Sequence, residues 1–387
     1  MNANAVSKIK NVSVANNECE RSEPKLRDAS DSKPKKSYLC RPKPTTMRSF
    51  GSDNNSGVHP QVMEAIINAN ADHALAYGDD DWTLRATHRL KEVFGETAEP
   101  FFVFNGTGAN TIAMRACCRP YHAVIAAATA HIAVDECNAP GYLSGAAVKE
   151  VAAPDGKLTP DLIRPLLHGF GFEHHSQPRV VYVSEVTELG TVYTPGELRA
   201  LADFVHSYGM YLHIDGARLA NAAVALGTTV RALTTDCGAD IISFGGTKNG
   251  CMMAEAVIAL RPELATELRY LRKQTTQLFS KMRYVAAQFL AYFDNDLLYK
   301  NAAHANAMAQ LLRRRIEETG DFEFTQPTQA NTLLLKLAPD VTEQLLKNHF
   351  FYVWDEQTNE IRLVTSWDTT EEDIESFVSD LKKIIGK

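Results

Sequence analysis

Six short apolar runs recur through the middle of the chain: Phe101–Phe104, Ala123–Ala126, Ala147–Val151, Val180–Val183, Tyr211–Ile214 and Asp240–Ser243. Each is separated from the next by a segment with room for a helix or a long loop. Such alternation builds a mostly parallel sheet with helices on both faces, because parallel neighbours need a long crossover. Polar clusters follow almost every run, at the strand carboxyl ends where open α/β sheets bind ligands. The expected fold class is therefore α/β, a mostly parallel sheet flanked by helices, followed by a smaller C-terminal α+β domain.

The 387 residues are 45% hydrophobic, enough for a large core and a second, smaller one. A large ligand-binding domain is expected over residues 48–290 and a small one over 291–387. The small domain should hold strands Thr332–Leu337, Phe350–Trp354 and Ile361–Thr365 and a helix Val341–Asn348. A final helix should open on a capping box in Thr369-Thr-Glu-Glu372. Residues 1–47 are rich in Ser, Asn, Lys, Glu and Pro without lasting periodicity and are expected to be disordered, with Met47 as an alternative start. Their acidic residues do not suit a mitochondrial presequence, organellar targeting otherwise stays open, and the expected location is cytoplasmic. Seven cysteines without CxxC spacing suit reduced thiols rather than disulfides or a metal site. A net charge of −7 without a basic face argues against nucleic-acid binding, and no apolar run is long enough to cross a membrane.

Four clusters carry candidate chemistry. At Asn105-Gly-Thr-Gly-Ala-Asn110 a strand gives way to a helix expected at Thr111–Cys117. The free N–H groups of Gly106, Thr107 and Gly108, the Thr107 hydroxyl and the helix dipole then converge on a point suited to a phosphate ester; an ordinary glycine-rich turn is the alternative. His131 follows the next strand, where an imidazole can stack on a flat ring or be merely structural, and Glu136 either orients it or is a surface charge. Asp215 ends an apolar strand, and a buried carboxylate needs a partner, either a protonated ring nitrogen or Arg218. Lys248 lies in Ser243-Phe-Gly-Gly-Thr-Lys248-Asn-Gly250, whose small residues let a carbonyl compound approach its amine, although lysines in such loops are commonly just solvated. Together Asp215 and Lys248 suit pyridoxal 5'-phosphate, the carboxylate keeping the pyridine nitrogen protonated and the amine condensing with the aldehyde.

From about Ser52 to Trp367 the chain resembles the low-specificity L-threonine aldolases, pyridoxal-phosphate enzymes of the aspartate-aminotransferase-like fold. The matching pieces are Ser52-Asp53, Tyr77-Gly-Asp-Asp80, Gly106-Thr107, His131 with Glu136, His213-Ile-Asp-Gly-Ala-Arg218, Thr247-Lys248-Asn249 and Arg362-Leu-Val-Thr-Ser-Trp367. The resemblance implies that Lys248 holds the cofactor, Asp215 its ring nitrogen, Thr107 and nearby amides its phosphate, and that His131 stacks on the ring. Ser52, Arg218 and Arg362 would hold the carboxylate of an amino-acid substrate. Clamping that carboxylate turns the Cα–Cβ bond perpendicular to the ring, and His131, or a water it orders, would take the β-hydroxyl proton. A homodimer or homotetramer with active sites at the dimer interface is implied as well.

The chain departs from the bacterial pattern of that family in two places. Glu185-Val-Thr-Glu188-Leu stands where Glu-Asn-Thr-His-Asn is expected, which puts Glu188 near the substrate hydroxyl and leaves the threo or erythro preference open. An arginine expected near residue 280 to touch the phosphate is missing, so Lys273, or Lys281, is expected in its place. Two rival activities remain: β-elimination or dehydration of a hydroxy amino acid on the same scaffold, and a non-catalytic scaffold relative.

Overall fold

The computed structural model describes residues 49–387, so the expectation for residues 1–47 lies outside the described residues. Seven strands form the main sheet: β1 (Glu99–Val103), β2 (His122–Ala127), β3 (Ala147–Val151), β4 (Gln177–Ser184), β5 (Tyr211–Gly216), β6 (Ile241–Gly245) and β7 (Glu255–Ala259). Their order is β1-β7-β6-β5-β4-β2-β3. The five strands from β6 to β3 are mutually parallel, as the crossover spacing predicts, while β7 runs antiparallel to both β6 and β1. β7 was not among the expected strands. A connection as short as Gly246–Ala254 can return a chain only antiparallel, since a parallel return needs a dozen residues or more.

A second sheet, antiparallel in the order β8-β10-β9, is made by β8 (Thr332–Lys336), β9 (Tyr352–Asp355) and β10 (Glu360–Val364). It has its own core, in which Leu333, Leu335, Leu363, Phe377 and Leu381 are buried with Phe50. Phe50 reaches that sheet from the start of the described chain: its N–H donates to the Phe350 carbonyl (2.8 Å) and its carbonyl accepts the Val364 N–H (2.7 Å). The long helix Leu297–Glu317 serves both cores, with Leu297, Leu298 and Ala302 in the larger and Met308, Ala309, Leu312 and Ile316 in the smaller. These spacings of three and four keep one apolar stripe facing inward along the helix.

Two helix starts in the C-terminal region differ from expectation. The final helix, Glu371–Ile384, is capped one residue later than read: Thr370 and Asp373 form the reciprocal box, while the Thr369 hydroxyl accepts the Ser366 N–H (2.9 Å). The helix expected at Val341–Asn348 runs Pro339–Leu345, with proline in its first turn, where a missing N–H costs nothing. No helix among the described residues is long and apolar enough to cross a membrane.

Candidate active site

The carboxyl ends of the parallel strands open into a cleft of about 940 Å³, closed on its far side by β9 and β10. Among its lining residues are Ser52, Gly106, Thr107, His131, Glu188, Asp215, Arg218, Lys248 and Arg362. Nine of the eleven residues singled out from sequence therefore meet in one place; Gly108 and Lys273 do not line it.

Asp215 ends β5 with its carboxylate almost fully covered. Its Oδ2 accepts from the Tyr182 hydroxyl (2.5 Å) and from Asn110 Nδ2 (2.8 Å), and its Oδ1 from the Ala217 N–H (3.0 Å). Burial alone would push this carboxyl up, but those two side-chain donors and the nearby Lys248 charge outweigh it and hold the group below its ordinary value. Asp215 is thus ionised, yet among the described residues it has no ion pair, because Arg218 turns elsewhere. The Arg218 guanidinium makes a two-point pair with Asp53, Nε to Oδ2 at 2.6 Å and Nη2 to Oδ1 at 2.9 Å, and Asn331 donates to the same Oδ2 (3.1 Å). Asp53, matched in Ser52-Asp53 but given no role from sequence, is the positioning partner of Arg218.

Asn110, on the helix Gly106–Cys117, gives its amide hydrogens to Asp215 and to Glu136 Oε1 (2.8 Å), which also receives His131 Nδ1 (2.8 Å). His131 opens the short helix His131–Val134, and its N–H donates to Glu188 Oε1 (2.8 Å), an oxygen that also accepts from the Ser184 hydroxyl (2.6 Å). Burial lowers the imidazole pKa, but the Glu136 hydrogen bond and the Asp215 charge prevail and raise it above its ordinary value. Burial raises the Glu188 carboxyl. Glu136 is therefore the fully covered orienter of His131 and not a surface charge.

The glycine loop is itself the first turn of a helix, which begins at Gly106 rather than Thr111. Asn105 caps it, its Oδ1 accepting the Gly108 N–H (2.7 Å), so that donor is spent within the turn. Gly108 lies under Gln277, where a Cβ would stand 2.4 Å from the amide carbon. Gln277 in turn accepts the Phe104 N–H (2.9 Å). Lys273, offered as a phosphate contact, holds its ammonium 5.3 Å over the Tyr77 ring.

Lys248 sits in the turn Thr247–Asn249 after β6, and Asn249 anchors that turn through the Tyr292 hydroxyl (2.7 Å) and the Leu298 carbonyl (2.8 Å). Gly250 closes it at φ +98°, a conformation that disfavours any side chain. Among the described residues the Lys248 amine has neither a hydrogen bond nor an ion pair, and burial, with the Arg218 charge, lowers its pKa. Arg362, on β10, lies 4.6 Å from the Trp354 ring and 5.8 Å from that of Tyr352; its Nε is buried without a partner, and burial lowers its pKa. Glu255, at the start of β7, also lines the cleft and was missed, since an acidic residue before an apolar run reads as a surface charge.

The beta-eliminating lyase family matches residues 49–338. The chain is 38% identical over 338 residues to a low-specificity L-threonine aldolase from a Pseudomonas species, covering 87% of this chain and 98% of that protein. The structure of a threonine aldolase from Leishmania major superposes with a TM-score of 0.82 at 32% identity, covering 87% of this chain and 99% of that one. An aspartate aminotransferase from Thermus thermophilus shares the fold alone, with a TM-score of 0.66 at 16% identity over 87% of this chain and 91% of that one. A cleft carrying an unpartnered amine beside an ionised carboxylate, on a chain matched along most of its length, belongs to the beta-eliminating lyase family and, within it, to the low-specificity L-threonine aldolases.

Proposed function

We propose that this chain is a pyridoxal-phosphate-dependent carbon–carbon lyase that cleaves L-threonine, L-allo-threonine or related β-hydroxy-α-amino acids to glycine and an aldehyde. One observation carries the reading: among the described residues, an unpartnered buried amine, an ionised carboxylate without a counter-cation and a guanidinium whose buried Nε has no hydrogen-bond partner share one cleft. Buried charges left in that state await a ligand that supplies the missing partners.

The residues fit pyridoxal phosphate. Lys248 would hold its aldehyde carbon, Asp215 its ring N–H, the first-turn N–H groups at Gly106 and Thr107 its phosphate, and His131 one face of its ring. When bound, the cofactor accepts the electron pair left on the substrate α-carbon. Arg362, assisted by Ser52, grips the substrate carboxylate, and a planar two-point donor fixes which α-carbon bond is poised to break. Arg218, aimed by Asp53, is then available to the ring oxygen or that carboxylate. His131 takes the β-hydroxyl proton at Nε2, because Nδ1 is committed to Glu136. Glu188 holds the His131 backbone in place and stands on the hydroxyl side of the cleft, where it bears on the choice between threonine diastereomers.

The same reading includes a cytoplasmic homodimer or homotetramer with the cleft at its interface; exposed Leu75, Tyr77 and Tyr142 are the kind of surface such an interface covers. Both threonine diastereomers, given to the purified protein, should yield acetaldehyde and glycine in equal amounts. Ammonia and a keto acid in their place would establish the β-eliminating alternative. Borohydride reduction followed by peptide mapping should put the label on Lys248.

A further inference from the structure

Glu255 takes no part in the scheme above, although its carboxyl lies in the same cleft. It opens the reversed strand β7, so its register partner is Gly245, at the end of β6. The carboxyl fills the space that a side chain on Gly245 would need: a Cβ there would stand 2.4 Å from Glu255 Oε2. From there it meets the turn that carries Lys248. The Thr247 N–H lies 3.4 Å from Oε1, the Thr247 hydroxyl also hydrogen-bonds to the carboxyl, and that hydroxyl accepts the Ala254 N–H (3.2 Å), which leaves its proton for Glu255.

The groups facing Glu255 are Lys248, Asp215, Cys251 and Tyr292. Burial raises both the Cys251 thiol and the Tyr292 phenol, so both stay neutral, and Lys248 is the cation in this set. The other acids near the amine are held ionised, Asp215 by three donors and Asp53 by Arg218. Glu255 has weaker support, and burial pushes its carboxyl up to about 7.

We infer that Glu255 is the proton partner of Lys248, taking a proton from the ammonium through one bridging water so that the nitrogen lone pair can bond to carbon, and returning it when the amine is released. One N–H bond breaks as one O–H bond forms, with no change in oxidation state. The inference rests on the proposed reading of Lys248 as the cofactor's anchor.

The holoenzyme is first reduced with borohydride and mapped. A separate, unreduced sample is mixed with glycine in a stopped-flow spectrophotometer from pH 6 to 9, at constant free-base glycine, to time the displacement of Lys248. The wild-type rate should be level below an inflection near 7 and fall about tenfold per pH unit above it, because the release of Lys248 needs the protonated carboxyl. Glu255→Gln should lose the inflection and react at least about tenfold more slowly at pH 6. A label on Lys248 with the same profile in both proteins overturns the inference alone; a label elsewhere overturns the Lys248 reading and the inference with it. Should Glu255→Gln not fold, infrared difference spectra of the wild-type holoenzyme with and without glycine at pH 7 decide: a protonated-carboxyl band must change, and an unchanged band overturns the proposal.

Discussion

On the wall formed by β4, β5 and the helix Gly106–Cys117, both oxygens of Asp215 have donors, whereas on the rest of the cleft wall Lys248 and Arg362 have no acceptor among the described residues. The protein itself completes the hydrogen bonds of the first wall and leaves Asp215 only its counter-cation to gain. The second is left for a ligand to complete. A buried charge without a counter-group costs stability, and such a cost persists where binding later removes it. Substitutions should therefore separate the walls: on the receptive side they should harm function and spare the fold, and on the completed side they should harm both.

Lys248→Ala should have the largest effect, lowering kcat by about 10⁴-fold or more and abolishing the borohydride label, with an unchanged melting curve. Next, Arg362→Leu should reduce kcat/KM by about 10²- to 10³-fold, mainly through KM. Its melting temperature should hold or rise, since an unpaired buried cation is removed; a marked fall would show that the guanidinium supports the fold and would erase the contrast. Tyr182→Phe, on the completed wall, should cost about 1–2 kcal/mol of stability by taking a donor from Asp215, read by denaturant unfolding. The smallest effect belongs to the orientation of His131. The imidazole accepts a proton only when neutral, and its folded pKa is raised, so activity should fall as pH drops through a value above 6.5. Glu136→Gln removes the main raising group and should move that acid limb to lower pH; an unmoved limb would assign it to another residue.

The completed wall was also the harder one to read from sequence. Asp215 and Lys248 stand out because each interrupts an apolar or glycine-rich context at a strand end. Asn110 and Tyr182 do not, since one lies inside an apolar helix and the other inside an apolar strand, and their partners depend on how β4 and β5 register: Tyr182 pairs with His213 and Ser184 with Asp215. Spacing along a chain does not report such cross-strand neighbours. Glu255 was hidden for the same reason, because only the reversal of β7 brings a strand's first residue to the edge where its neighbours end. Arg218 could be placed near the cleft from sequence, but its partner Asp53 lies at the far end of the described chain. Lys273 failed in the opposite way, since its position on a helix did not disclose that its side chain would turn to Tyr77.

The backbone tie between Phe50 and the small sheet dictates an order of assembly. Ser52 and Asp53 are located by a segment bonded to Phe350 and Val364, contacts spanning some three hundred residues of chain. The seven strands that carry Asp215 and Lys248 end at β7, and the anchors of the Lys248 turn, Tyr292 and Leu298, also precede β8. During synthesis the half of the cleft assigned to the cofactor can therefore fold well before the ribosome releases the C-terminal sheet. The half assigned to the substrate closes last, through contacts of high sequence separation that form slowly.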